Sequence, residues 1–121
     1  MFRLGIIEES LKNIKVLNII KQYLFSQRIE QIPEDEYPVW HTNEYHIPDE
    51  KLKDLLEILK NEVKETWYIH AFDDKQLFVV LKGRYFVLSL NRDYSWNEMI
   101  EYGVNEAKVE RRFLENVPLH V

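Results

Sequence analysis

Glu34, Asp35, Glu36, Tyr37, Trp40, His41, Glu44, Tyr45 and His46 fall within 13 residues of a 121-residue chain. Imidazoles and carboxylates are the donors a divalent cation takes from a cysteine-free protein, provided they converge from rigid positions. His41 and His46 are five apart. On a strand an odd spacing points them to opposite faces, and on a helix it misses the favoured i, i+4 geometry. The set His41, Glu44 and His46 is therefore a weak metal signal, and no metal or cofactor is expected. The aromatic and acidic side chains of the same segment suit recognition better, since aromatics supply contact area and carboxylates supply steering.

His70 is the other histidine with a chemical reading. It stands between Ile69 and Ala71, with Tyr68 and Phe72 on its own face of an expected strand. It could act as a general base if a carboxylate oriented it, and Asp73 and Asp74 are the nearest in sequence. The commoner state is a half-buried imidazole with one ring nitrogen satisfied. Nucleophilic motifs are lacking. Ser10, Ser26, Ser89 and Ser95 are the only serines, and none lies in Gly-x-Ser-x-Gly. There is no cysteine, so disulfides, thiolate-bound zinc and cysteine nucleophiles are excluded. Three scattered glycines build neither a P-loop nor a dinucleotide fingerprint.

The elements that hold these residues read as one α+β domain over 1–121. Phe2 to Glu8 alternates as a first strand. Leu11 to Leu24 is apolar on several sides and reads as a helix, with Ser10 as its cap and a strand as the competing reading. Phe25 to Ile32 reads as an edge strand ending at Pro33. Residues 33–48 hold three of the four prolines, which predicts an irregular segment with a short strand around Asn43 to Ile47. Pro48, Asp49 and Glu50 open a helix whose Leu52, Leu55, Leu56, Leu59 and Val63 form one apolar stripe.

Three strands follow: Thr66 to Phe72, Gln76 to Leu81 and Arg84 to Leu90, the second apolar on both faces and so central. Ser95 and Glu98 form a capping-box pattern before a helix whose stripe includes Trp96, Met99 and Ile100. Gly103 would let that helix lie close to the sheet. Val109 to Val117 reads as a last extended stretch. The expected fold is mainly antiparallel sheet with about three helices, in the order β-α-β-(β)-α-β-β-β-α-β. Its first half resembles the split β-α-β pattern of ferredoxin-like domains.

Charge sharpens the functional reading. The chain carries −5 formally, yet residues 29–50 hold seven acids and no Lys or Arg. That segment is −7, which leaves +2 elsewhere. Such a run is either a solvated face or a recognition surface for a basic protein. An acidic chain with no basic cluster suits no nucleic-acid backbone, and no apolar run is long enough for a membrane span. The expectation is a cytoplasmic, non-enzymatic interaction or regulatory module using the acidic, aromatic-bearing surface at 29–50. The alternative is a small enzyme or ligand-binding protein using His41, His46 or His70 with carboxylates in a pocket. Extended edge strands and 16 aromatics further suggest a homodimer.

Overall fold

The computed structural model describes all 121 residues. Six antiparallel strands make one sheet in the order β2-β3-β1-β4-β5-β6. They are β1 (Phe2–Ile7), β2 (Leu24–Gln31), β3 (Val39–Ile47), β4 (Ile69–Phe72), β5 (Leu77–Leu81) and β6 (Arg84–Leu88). Helix α1 (Asp49–Leu59) connects β3 to β4, and α2 (Asn97–Asn105) and α3 (Arg111–Leu114) follow β6. The α+β class read from the sequence is the class observed. A split β-α-β unit is present, but β3, α1 and β4 make it, with β1 paired between the two strands. No helix is long and apolar enough to cross a membrane.

Alternation divides the sheet between two cores, one on each face. On the first face Phe2, Leu4, Ile6, Ile69, Phe78 and Val80 pack with the leucine stripe of α1. On the second face Phe72, Leu77, Val79 and Leu81 pack against α2, α3 and Val117. Strand β5 is buried along its whole length because both cores meet on it.

Four segments depart from the sequence reading. Leu11 to Leu24 is not an α-helix but two 3-10 turns, Ile14–Ile19 and Lys21–Tyr23. Its β-branched Ile14, Val16, Ile19 and Ile20 disfavour a helix, and only one side finds cover: Leu11, Leu17 and Ile20 are buried while Ile14 and Ile19 are exposed. Ser10 accordingly caps nothing. Its hydroxyl donates to the Ile7 carbonyl at 2.6 Å.

Residues 33–48 are more regular than expected, since β3 runs for nine residues and pairs with both β1 and β2. The capping box does not form either. Asp93 accepts from the Ser95 N–H at 2.9 Å, and Glu98 instead pairs with Arg84 at 2.7 Å. Last, 109–117 is not extended but carries α3, whose buried Leu114 tucks against Gly103.

Gly103 thus admits α3 more than the sheet. A Cβ there would lie 2.3 Å from a Leu114 methyl and 3.3 Å from one of Leu81. Both leucines are fully buried, so neither can swing away. Gly103→Ala gains about 1 kcal/mol of helix propensity but overpacks at a cost of about 1–3 kcal/mol. A net loss of about 1 kcal/mol is expected in denaturant unfolding.

Candidate functional site

Helices α2 and α3 cover the second face only over β4, β5 and β6. Over β1, β3 and β2 the same face stays open, and a groove of about 440 Å³ lies on it. Its floor is strand surface: Gly5 and Ile7 of β1, Arg28 and Glu30 of β2, Trp40 and Thr42 of β3. One wall is the turn 35–37, and the other is formed by Lys108 to Glu110, Phe113, Pro118, His120 and Val121. Gly5 is needed at this floor. A Cβ there would meet the His70 ring at 2.8 Å and Val121 at 3.1 Å, so the absence of a side chain lets both lie on β1.

The expected site residues divide between the two faces, because β3 is a strand and its side chains alternate. His41 and Tyr45 belong to the first face. Tyr45 is buried in the core with Asn43 donating to its hydroxyl, a structural role. The His41 ring lies 2.7 Å from Glu9, whose other carboxylate oxygen accepts the His41 backbone N–H. The hydrogen bond to Glu9 raises the pKa of His41. Burial would raise Glu9, but the His41 backbone and ring donors outweigh it and leave Glu9 lowered.

Trp40, Glu44 and His46 belong to the second face. Glu44 is buried and receives Arg3 at 2.9 Å and His46 at 2.7 Å. The Arg3 hydrogen bond, aided by His46, holds its carboxyl below the usual range. Phe25 stacks on the His46 ring at 4.0 Å, and the Arg3 guanidinium lies 5.2 Å from the Phe72 ring centre. This is a closed row of satisfied groups rather than a reactive one.

The histidines do not share a site. His70 is buried on the second face, with Nε2 donating to the His120 carbonyl at 2.9 Å. Burial lowers its pKa and favours the neutral imidazole. No carboxylate bonds to it, so the partner that would make it an oriented base is missing. No group of three or more His, Cys, Asp or Glu converges anywhere in the fold.

The acidic run is also less of a surface than its charge implies. Glu44 is matched by Arg3, Glu30 by Arg28 and Asp49 by the amino terminus. Arg111 and Arg112 do not serve this run: they sit on α3 and pair with Glu101 and Glu110. What remains acidic is Glu50 in the first turn of α1 and the turn Glu34, Asp35 and Glu36. Asp35 is its structural acid, accepting from the Tyr37 N–H at 2.9 Å and from the Trp40 indole at 3.3 Å.

That last bond orients Trp40 into the groove. Trp40 meets Trp67 edge-on at 5.2 Å, and Tyr37 meets the same ring at 5.8 Å. Tyr68 lies beside them on the groove lining, its hydroxyl pKa pushed up to about 12 by burial. The Lys64 ammonium already sits 4.8 Å from the Tyr37 ring centre. The only two non-glycine residues with positive φ, Thr66 at 74° and Lys108 at 59°, both line this groove. A β-branched residue there costs about 1–3 kcal/mol, a strain that concentrates at functional sites.

Thr66, Trp67, Tyr68 and Lys108 were absent from the sequence-based site. The adjacent Trp67 and Tyr68 before His70 were the one available signal. They read as strand, whereas the strand begins only at Ile69. No family model, no curated protein and no solved structure matches the chain.

Proposed function

We propose that the chain is a non-enzymatic binding module that takes a cationic side chain of a basic protein partner into the groove on the open sheet face. One observation carries this reading: the contiguous wall of Tyr37, Trp67 and Trp40 beside the carboxylates of Asp35 and Glu36. Aromatic faces attract ammonium and guanidinium groups, and more strongly when water is excluded. The groove lining bears four acids (Glu30, Asp35, Glu36 and Glu110) against two bases (Arg28 and Lys108), which favours a cation over an anion. Its volume lies within the roughly 300–1,000 Å³ range of ligand pockets. This reading moves the recognition surface from the whole acidic run to the wall at one end of it.

The experiment is titration of tryptophan fluorescence with an arginine-rich octapeptide, with a glutamate-rich one as control. The arginine peptide is expected to quench saturably and more weakly as salt rises. Trp40→Ala is expected to weaken binding about 10-fold or more, as loss of a central aromatic anchor does. Equal response to both peptides, or unchanged affinity in Trp40→Ala, overturns the reading.

A further inference from the structure

We propose that two copies of this chain associate through β2, antiparallel about a two-fold axis at Ile29, to continue the sheet across the dimer. Strand β2 is one of the two sheet edges, and at eight residues it is longer than the other, the five-residue β6. Nothing covers its outer side, and Phe25 and Ile29 are each 64% exposed. Edge strands are ordinarily blunted by proline, short length or charges pointing inward. This one has no proline before Pro33, its one bulge lies at its start between Leu24 and Ser26, outside the segment 27–31, and its only charges are Arg28 and Glu30.

The backbone settles which groups are free. Ile32 N–H donates to the Pro38 carbonyl of the turn leading into β3. By the alternation of an antiparallel ladder, Glu30 and Arg28 also bond toward β3. Gln27, Ile29 and Gln31 then turn their N–H and C=O outward, in the spacing a second antiparallel strand requires.

Charge selects the second copy as the occupant and selects the register. With the axis at Ile29, Arg28 of each copy lies directly opposite Glu30 of the other, and Ile29 opposes Ile29. Moving the axis by one residue sets Arg28 against Arg28 or Glu30 against Glu30, which is unfavourable for directly opposed like charges. The two side chains are prepared for this. They lie on the same face, 3.5 Å apart within the chain and half-exposed. Thr42 holds the Glu30 carboxylate through a 2.7 Å hydrogen bond. The strand is thus self-complementary, as an isologous interface must be.

Sedimentation velocity of the full chain tests this without any ligand, and so independently of the groove. The wild-type chain is expected to sediment as a dimer. R28E sets acid against acid across the axis, and E30R sets base against base, so each alone is expected to be monomeric. An equimolar mixture of the two is expected to recover the dimer, because the strands then complement each other only between unlike chains. Ile29→Pro removes an outward N–H that β3 does not use, so it should leave the fold intact by circular dichroism and the chain monomeric. A wild-type chain that is monomeric up to millimolar concentration overturns the proposal. So does a dimer that R28E, E30R or Ile29→Pro leaves unchanged, or a mixture that stays monomeric.

Discussion

Phe78→Ala is expected to destabilise the protein by about 3–5 kcal/mol, the range for removing a large buried aromatic ring. Phe78 is 1% exposed on the central strand β5. Its ring meets Phe2 edge-on at 5.5 Å and Tyr85 at 6.3 Å. The neighbours are strand residues and the α1 stripe, held by their own ladders and turns, so the cavity cannot collapse. Domains of this size have about 5–15 kcal/mol in total, so this one ring supports a large fraction of the fold. The melting temperature should drop by roughly 10–20 °C, read by calorimetry or circular dichroism. Val87→Ala, on the half-exposed outer side of β6, should change stability by no more than about 0.5 kcal/mol. Equal losses at the two positions would show that the ring is not packed as described.

Glu44→Gln is expected to lower stability at neutral pH and to flatten the loss of stability in acid. The Glu44 carboxylate accepts from Arg3 and His46 while itself nearly excluded from water. Hydrogen bonds to a charged group are worth about 1.5–3 kcal/mol, but Arg3 is 46% exposed and solvent screens its share. A loss of about 1–2 kcal/mol is therefore expected. Because folding lowers the pKa of Glu44, its contribution is present above the ordinary carboxylate range and is lost as pH falls through the folded value.

Glu9 is lowered too, so wild-type stability should decline below about pH 5 with more than one proton taken up. The raised pKa of His41 acts with the opposite sign. Its contribution is complete below the ordinary histidine range and fades as pH rises through the folded value. Urea unfolding from pH 3 to 8 measures these contributions. An acid slope in Glu44→Gln as steep as in the wild type would remove Glu44 from this account.

How far residues could be read without coordinates depended on whether a signal was local. The stripe Leu52, Leu55, Leu56 and Leu59 names its helix because helical periodicity is written in four residues and one apolar side suffices. Leu77 to Leu81, apolar at each position, announces a strand covered on both faces, and β5 is that strand. Alternation likewise separates His41 from His46, since opposite faces follow from any strand through both. By contrast, Leu11 to Leu24 has apolar residues enough for a helix but no single face, and cover by the rest of the fold decided which of them were buried. Ser95 and Glu98 match a capping pattern, yet Asp93 and Arg84 compete for the same groups and win.

The class of fold, the central strand, the helix after Pro48 and the concentration of acid in residues 29–50 are all legible in the bare chain. Each of these is a matter of composition or period. What that acid is worth depends on long-range packing. Arg28 matches Glu30 from two residues away, but Arg3 and the amino terminus reach Glu44 and Asp49 from more than 40 residues away, and no local pattern records those pairings. The groove is of the same kind. Trp67 lies 27 residues from Trp40 and Lys108 lies 68 from it. They meet because β3 and the residues preceding β4 flank β1 while α2 and α3 stop short of that side, so the site is a consequence of strand order and not of any motif.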